Sequence, residues 1–160
     1  MIARSIKELE DVWLKLDKTK NFSDNIGGFG IGVNGLLSLL SAATEWLGGI
    51  EVFELWTLII GAYLVYLGLK ARASPGAMVK VFLYLGIDAV VDLIPIPMVG
   101  GVMDAIYRGP LTAARALQKD IERTHWIEGS SHEARASGAY ARHFEEMRAQ
   151  KKRRVVYLAD

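Results

Sequence analysis

Three long apolar stretches dominate the pattern of hydrophobic and polar positions along the chain. Residues 26–44 and 55–69 contain no charged side chain, and residues 81–107 contain only three, all aspartates. A helix rises about 1.5 Å per residue and the hydrocarbon core of a bilayer is about 30 Å thick, so about 20 apolar residues span it. The pattern therefore predicts membrane helices. A soluble helical bundle with unusually apolar core helices is the alternative.

The first 25 residues have a different pattern. Their apolar residues recur at alternating spacings of four and three, at Ile2, Ile6, Leu9, Trp13 and Leu16. Because charged residues fill most positions between them, the spacing predicts an amphipathic helix. Such a helix lies on a membrane surface, packs on the protein's own core or pairs with a partner helix. For a membrane or a partner, Trp13 and Leu16 are the predicted contact residues.

An internal repeat organises residues 26–127. The segment Gly32–Leu40 aligns without gaps on the segment Gly86–Ile94, and polar positions match, with Asn34 aligned on Asp88. Each half therefore predicts a helix, a break and a second helix. The second break consists of residues that interrupt a helix or leave it without side chains, namely Pro95, Pro97, Gly100 and Gly101.

The fold predicted from this repeat is all-α and integral to the membrane. It has two repeated helical hairpins, residues 26–69 and 75–123, preceded by the amphipathic helix of residues 1–25 and followed by a charged, polar helical tail, residues 128–160. The third apolar stretch either spans the bilayer or enters it and turns back.

The distribution of basic residues predicts an orientation. Lysines and arginines precede the first apolar stretch and occupy residues 70–80, whereas the loop 45–54 contains acids only. By the positive-inside rule, both termini are cytoplasmic. Since the first residues do not form a cleavable signal peptide, we expect a protein of the bacterial inner membrane that is inserted by its own helices.

Three aspartates in the third apolar stretch are the main candidates for chemistry: Asp88, Asp92 and Asp104. An ionisable residue at membrane depth is costly and is usually either paired or functional. One hypothesis makes them a cation or proton site beside a broken helix. The alternative, which we favour, pairs them with Arg108 and Arg115 or uses them to cap the break, and thereby fixes the hairpin.

The tail ends in a basic run followed by an apolar segment. The run consists of Lys151, Lys152, Arg153 and Arg154, which either attract anionic lipid, at about 1 kcal/mol per residue, or stay solvated. Tyr157 and its apolar neighbours suit the edge of a sheet or an apolar groove. A polar tail of this length cannot bury a core alone, which favours a partner, either another membrane subunit or a second copy of the chain.

Composition excludes several classes of protein. The chain has 160 residues, 51% of them hydrophobic, and a formal charge of +1, which fits neither a disordered chain nor a nucleic-acid binder. It has no cysteine, and hence no thiol nucleophile or disulfide. The three histidines, His125, His132 and His143, lack the HExxH spacing of a zinc site. We therefore expect no metal, no cofactor and no enzymatic activity.

A duplicated motif extends over residues 8–123. It comprises an amphipathic helix ending in Leu16-Asp17, a GxD-type helix entry, and a Leu-Ile-Pro break followed by Gly and Asp. The second copy, GIDAVVDLIPIPMVGGVMDAIY, matches well, whereas Asn34 and Ser41 replace Asp and Pro in the first. The motif resembles the small bacterial membrane proteins grouped as domain of unknown function family 4112. The resemblance implies an integral membrane protein and brings no known activity.

Three functions remain open at this point. The leading hypothesis is a non-enzymatic structural or accessory subunit of a membrane assembly. The second is a small oligomeric channel or transporter that uses the three aspartates. The third is a holin-like protein that permeabilises the membrane, as its small size, few spans and basic tail suggest.

Overall fold

The protein is mostly helical, with one small parallel sheet. The structure is a computed structural model that describes residues 2–24, 52–92 and 109–160, with the backbone alone at 22–24, 52–57 and 87–92. Its helices are α1 (Ile6–Asp24), α2 (Val52–Lys70), α3 (Pro75–Asp92), α4 (Gly109–Glu122), α5 (Ser131–Ala136) and α6 (Ala139–Ala149). The strands are β1 (Thr124–Ile127) and β2 (Arg154–Tyr157). The helical prediction is confirmed, and the sheet is a departure from an all-α fold.

None of the helices within the described ranges combines the length and the apolar character needed to cross a membrane.

Helix α4 lies at the centre of the helical packing. It packs against α1 and α3 and also contacts α2. Its buried face includes Leu111, Ala113, Ala114, Leu117 and Ile121. The methyl side chains of Ala113 and Ala114 are small, so the neighbouring helices approach closely at these positions. Burying an alanine also costs no side-chain conformational entropy. Leu117 then fills the space between these helices and is fully buried.

Helix α1 buries its apolar side in the chain's own core. Leu9, Val12 and Leu16 all belong to the main core cluster, and Leu16 has no exposed surface. Trp13 packs against the same cluster, and its Nε1 donates a hydrogen bond to Glu122 Oε1 at 3.2 Å. The sequence assigned Trp13 and Leu16 to a partner or lipid. The structure instead uses both inside the fold, because a single helix face can cover a protein core as well as a membrane.

Helix α2 comes very close to α3 and α4 at Gly68. A Cβ atom placed on this glycine would lie 2.7 Å from Met78 Sδ and 3.1 Å from Leu117 Cδ2. These distances are shorter than normal carbon contacts, so the absence of a side chain at this position allows the three helices to meet.

The C-terminal residues form a strand–helix–helix–strand unit. Strands β1 and β2 pair in parallel, with Thr124 opposite Arg154 and Ile127 opposite Tyr157. Helix α5 begins with a capping box, in which Ser130 Oγ accepts from the Glu133 amide while the Glu133 carboxylate accepts from the Ser130 amide. This arrangement satisfies two amides at the helix start.

This unit is anchored on the helices by its last residues. Leu158 is 1% exposed and belongs to the main core cluster, and Tyr157 is 7% exposed. The apolar end of the tail was expected to add to a sheet edge or fill a groove, with a partner providing the order. In the structure, β2 pairs with the chain's own β1, and Leu158 fills the chain's own core.

Candidate functional site

An exposed apolar surface covers the outer side of α2 and α3. We call it the apolar face and define it by Leu58, Ile59, Tyr63, Tyr66, Leu69, Val79, Phe82 and Leu83. Exposure reaches 69% for Leu58 and 65% for Val79. Exposed groups of large apolar side chains are typical of surfaces that contact other proteins or membranes.

The apolar face exists because α2 is apolar on all sides. Ile60, Leu64 and Leu67 recur at helical spacing and enter the core. The opposite side of the helix carries Leu58 and Tyr66, which are apolar or aromatic and exposed. A helix that is hydrophobic all round is buried in a large core or in lipid. By contrast, the outer side of α4 carries charged residues such as Lys119 and Glu122.

Polar and charged groups gather at the turn between α2 and α3. Lys70 ends α2, Arg72 lies in the turn, and Lys80 lies in the second turn of α3. Both ends of the chain also lie here, because the Ala3 amide donates to Lys70 O at 2.8 Å and the Arg72 guanidinium donates to Tyr157 O at 2.9 Å. Basic residues and both ends of the chain therefore lie close to this turn, while further charged residues lie along α1.

Arg72 ties the C-terminal segment to this turn. Its Nη1 donates to Tyr157 O, and its Nη2 donates to Leu158 O at 3.1 Å and Asp160 O at 3.0 Å. The carboxylate of Asp160 accepts a hydrogen bond from the Ser131 amide at 2.8 Å, and the hydrogen bonds from Ser131 lower the pKa of Asp160. Burial raises the pKa of the neighbouring Tyr157.

Asp120 connects α4 with the start of α3 and with β2. Its carboxylate accepts hydrogen bonds from the Ser74 amide at 2.8 Å and the Ser74 hydroxyl at 2.6 Å, and Arg154 Nη2 donates to it at 2.8 Å. Arg154 also donates to Thr124 Oγ1 and to Arg72 O. Burial lowers the pKa of Arg154, and the charge of Asp120 acts in the opposite direction. This group of contacts, which we call the Asp120 network, holds three separate segments together.

A cavity of about 340 Å³ opens beside the Asp120 network. We call it the basic cleft. Its basic lining residues are Lys80, Lys119, Arg123, Arg153 and Arg154, and Asp120 is the one acid among the described residues that line it. The start of α3, at Ser74 and Gly76, forms part of its wall. Positive charge therefore exceeds negative charge in this cavity.

The sequence pattern did not indicate a role for Asp120, Ser74, Lys119 or Arg123, and it indicated Lys80 only as one of the basic residues that orient the protein. Each has the appearance of an ordinary surface residue when taken alone. One available signal was Ser74-Pro75 before an apolar run, which is typical of a helix start with serine at the cap and proline at the first helical position.

The predicted intramembrane residues are described only in part. Asp88 and Asp92 both belong to α3, four residues apart and hence on one face of its backbone. Arg115 lies in α4 on an exposed side. The other predicted residues, Asp104, Arg108, Pro95, Pro97, Gly100 and Gly101, lie outside the described residues.

The structure separates the four residues of the predicted basic run. Lys151 is exposed, and Lys152 Nζ donates to Glu122 O. Arg153 lines the basic cleft, whereas Arg154 is held in the Asp120 network. The run is therefore not a uniform basic surface, because Lys151, Lys152 and Arg153 lie in the turn after α6 and only Arg154 belongs to β2.

Two of the three histidines, His125 and His143, take part in hydrogen bonding, and His132 is exposed. His143 Nδ1 lies 3.1 Å from the Tyr157 hydroxyl, and His125 Nδ1 lies 3.2 Å from Gln150 Oε1. Within residues 2–24, 52–92 and 109–160, no three histidine, aspartate or glutamate side chains are grouped so that they could hold a metal ion.

The fold and the two surfaces define a mostly helical protein with an apolar face, a basic cleft and a small C-terminal α/β unit. Comparison of the chain with models of protein families, with curated proteins and with solved structures found no match.

Proposed function

We propose that this chain is a small, non-enzymatic protein of the bacterial inner membrane that serves as a structural or accessory subunit of a membrane assembly. The observation that carries the proposal is the apolar face, which we assign to lipid hydrocarbon. Its residues are large and apolar, and no charged residue lies between Leu58 and Leu69 on α2. A helix surface that faces water usually carries charged residues over a segment of this length. A helix surface that faces lipid hydrocarbon lacks them.

The position of the charged turn between α2 and α3 supports this assignment. The charged turn between α2 and α3 lies at one end of the two helices, with Lys70 and Lys80 close to it, and the apolar side chains lie further along both helices. Ala3 and Tyr157 also contact the residues of this turn. Both chain ends and the basic residues therefore belong on one side of the bilayer, which we propose is the cytoplasmic side.

The sequence patterns point in the same direction. The apolar stretch 26–44 and the repeated helical hairpins are part of the same proposal, with residues 26–69 and 75–123 embedded in or lying against the bilayer. We also propose membership of domain of unknown function family 4112, on the duplicated motif of residues 8–123. That family has no known activity, so membership supports only the membrane location of the protein. The proposed assembly role is argued from the surfaces described above.

An experiment on the native particle tests the assembly role. Membranes containing the full chain are washed with alkaline carbonate, extracted with a mild detergent and examined by native mass spectrometry. We expect the chain to stay in the washed membranes and to appear in a particle heavier than a single chain. Release by alkali, or a detergent-extracted particle of one chain only, contradicts the proposal.

The control for this experiment must keep the fold intact. Deletion of the tail is unsuitable, because it removes Leu158 from the core and Arg154 from the Asp120 network. A matched pair of double variants is better. Phe82→Gln with Leu83→Gln alters the apolar face, whereas Ile6→Gln with Leu14→Gln alters comparably exposed apolar residues of α1. We expect the first pair to weaken membrane retention more than the second.

A further inference from the structure

We propose that the basic cleft binds a phosphate-bearing anion, which is either the head group of an acidic phospholipid or a free phosphate compound. We call these two origins of the anion the lipid source and the free source. The lipid source depends on the membrane location proposed above, and the free source does not.

The charge balance of the cleft is the first argument. Asp120 already accepts hydrogen bonds from Arg154 and Ser74. Four basic side chains remain that make no hydrogen bond or ion pair with any part of the chain that the structure describes: Lys80, Lys119, Arg123 and Arg153. Positive charges that line one cavity repel one another, so an anion between them lowers the electrostatic energy.

The shape and the backbone of the cleft are the second argument. A volume of about 340 Å³ is at the lower end of the range for small-ligand sites, and it accommodates a phosphate with a glycerol-sized substituent. Gly76 lies in the first turn of α3, and a Cβ there would meet no atom within 4 Å. The Gly76 backbone is therefore uncovered where it lines the cleft, while the Ser74 amide at this helix start already donates to Asp120.

The position of the cleft connects it with the apolar face. Lys80 of the cleft follows directly after Val79 of the apolar face. With the apolar face in lipid hydrocarbon, the cleft lies at the level of the phosphate groups. Basic residues at that level attract anionic head groups.

Two matched double variants separate the cleft from general surface charge. Lys119→Gln with Arg123→Gln removes one lysine and one arginine from the cleft. Lys18→Gln with Arg148→Gln removes the same charges from exposed positions outside its lining. The single variant Lys80→Gln, at an exposed position, provides a second test of the cleft that does not depend on α4. Circular dichroism confirms that each variant is folded.

The first arm uses inorganic phosphate and the purified full chain in detergent. Thermal unfolding is followed as phosphate replaces chloride at constant ionic strength, because a ligand that binds the folded state raises the Tm. We expect phosphate to raise the Tm of the unaltered chain and of the control variant. The cleft variant should bind about tenfold more weakly, since two charge-assisted contacts are lost.

The second arm uses vesicles of phosphatidylcholine with or without phosphatidylglycerol. A preference for phosphatidylglycerol that is lost in the cleft variant and kept in the control supports the lipid source. If phosphate raises the Tm in the first arm but the chain shows no preference for phosphatidylglycerol, the result supports the free source. If cleft and control variants behave alike in both arms, the cleft proposal is wrong. Failure of all forms to associate with phosphatidylcholine vesicles counts against the membrane location alone, and the first arm then decides the cleft proposal.

Discussion

Replacing Asp120 with alanine is expected to lower the free energy of unfolding by about 3 kcal/mol. The change leaves the largely buried guanidinium of Arg154 without its carboxylate partner, and it removes the acceptor of both Ser74 hydrogen bonds. The exposed fractions of the two side chains in the ion pair are 16% for Asp120 and 27% for Arg154. Chemical unfolding of the full chain, followed by circular dichroism, measures this loss.

Asp11→Ala is the matched control for this prediction. Asp11 forms an ion pair with Lys15 at 2.6 Å and a looser one with Lys70 at 3.8 Å, but the Asp11 side chain is 49% exposed. An exposed pair contributes little to stability, so this variant should unfold close to the unaltered chain. A double-mutant cycle with Asp120→Ala and Arg154→Ala isolates the coupling between the two residues. Equal losses for Asp120→Ala and Asp11→Ala contradict the role assigned to the Asp120 network.

Gly68→Val is expected to lower the free energy of unfolding by about 2 kcal/mol. The added side chain meets Met78 and Leu117 at distances shorter than normal contacts, so α3 and α4 must move away from α2. The midpoint of chemical unfolding measures the effect.

Gly86→Val provides the comparison at an open position. A Cβ at Gly86 meets no atom within 4 Å, and the helical environment is similar to that of Gly68. Because both variants place the same β-branched residue in a helix, their difference reports the packing at Gly68 alone. Similar stabilities of the two variants show that α2 does not need the close approach at this glycine.

Local periodicity was sufficient to predict helices and insufficient to predict what their apolar sides contact. The spacing of Leu9, Trp13 and Leu16 indicates one apolar stripe, and the structure contains the helix at Ile6–Asp24. Lipid, a partner helix or the chain's own core can each cover an apolar stripe of this kind. Only the positions of α2 and α4 decide that α1 packs inward, and these positions depend on residues far away in sequence.

The small sheet escaped prediction for a related reason. Strands of four residues carry too little periodicity to be separated from a helix turn or a loop. The partner of Thr124 in the sheet is Arg154, thirty residues later, so the pairing is set by the packing of the intervening helices. Ser130 and Glu133, at the spacing of a capping box, are a recognisable helix start at α5.

The basic cleft was not predictable because its walls come from three distant segments. Lys80 lies in the second turn of α3, Lys119 lies in the last turn of α4 with Arg123 directly after that helix, and Arg153 precedes β2. Each of these residues fits an exposed position on its own element. Their convergence follows from the packing of α3 on α4 and from the pairing of the two strands.

The proposed function requires that lipid covers the apolar face, and fluorescence quenching by brominated acyl chains tests this claim most directly. The chain has no cysteine, so a single introduced cysteine accepts one fluorophore. Leu83→Cys carries the fluorophore on the apolar face, and Arg148→Cys carries it on the exposed surface of the C-terminal unit. In membranes with brominated lipids, we expect strong quenching at residue 83 and little at residue 148. Equal, weak quenching at both positions contradicts the claim, because another protein surface or water would then cover the apolar face.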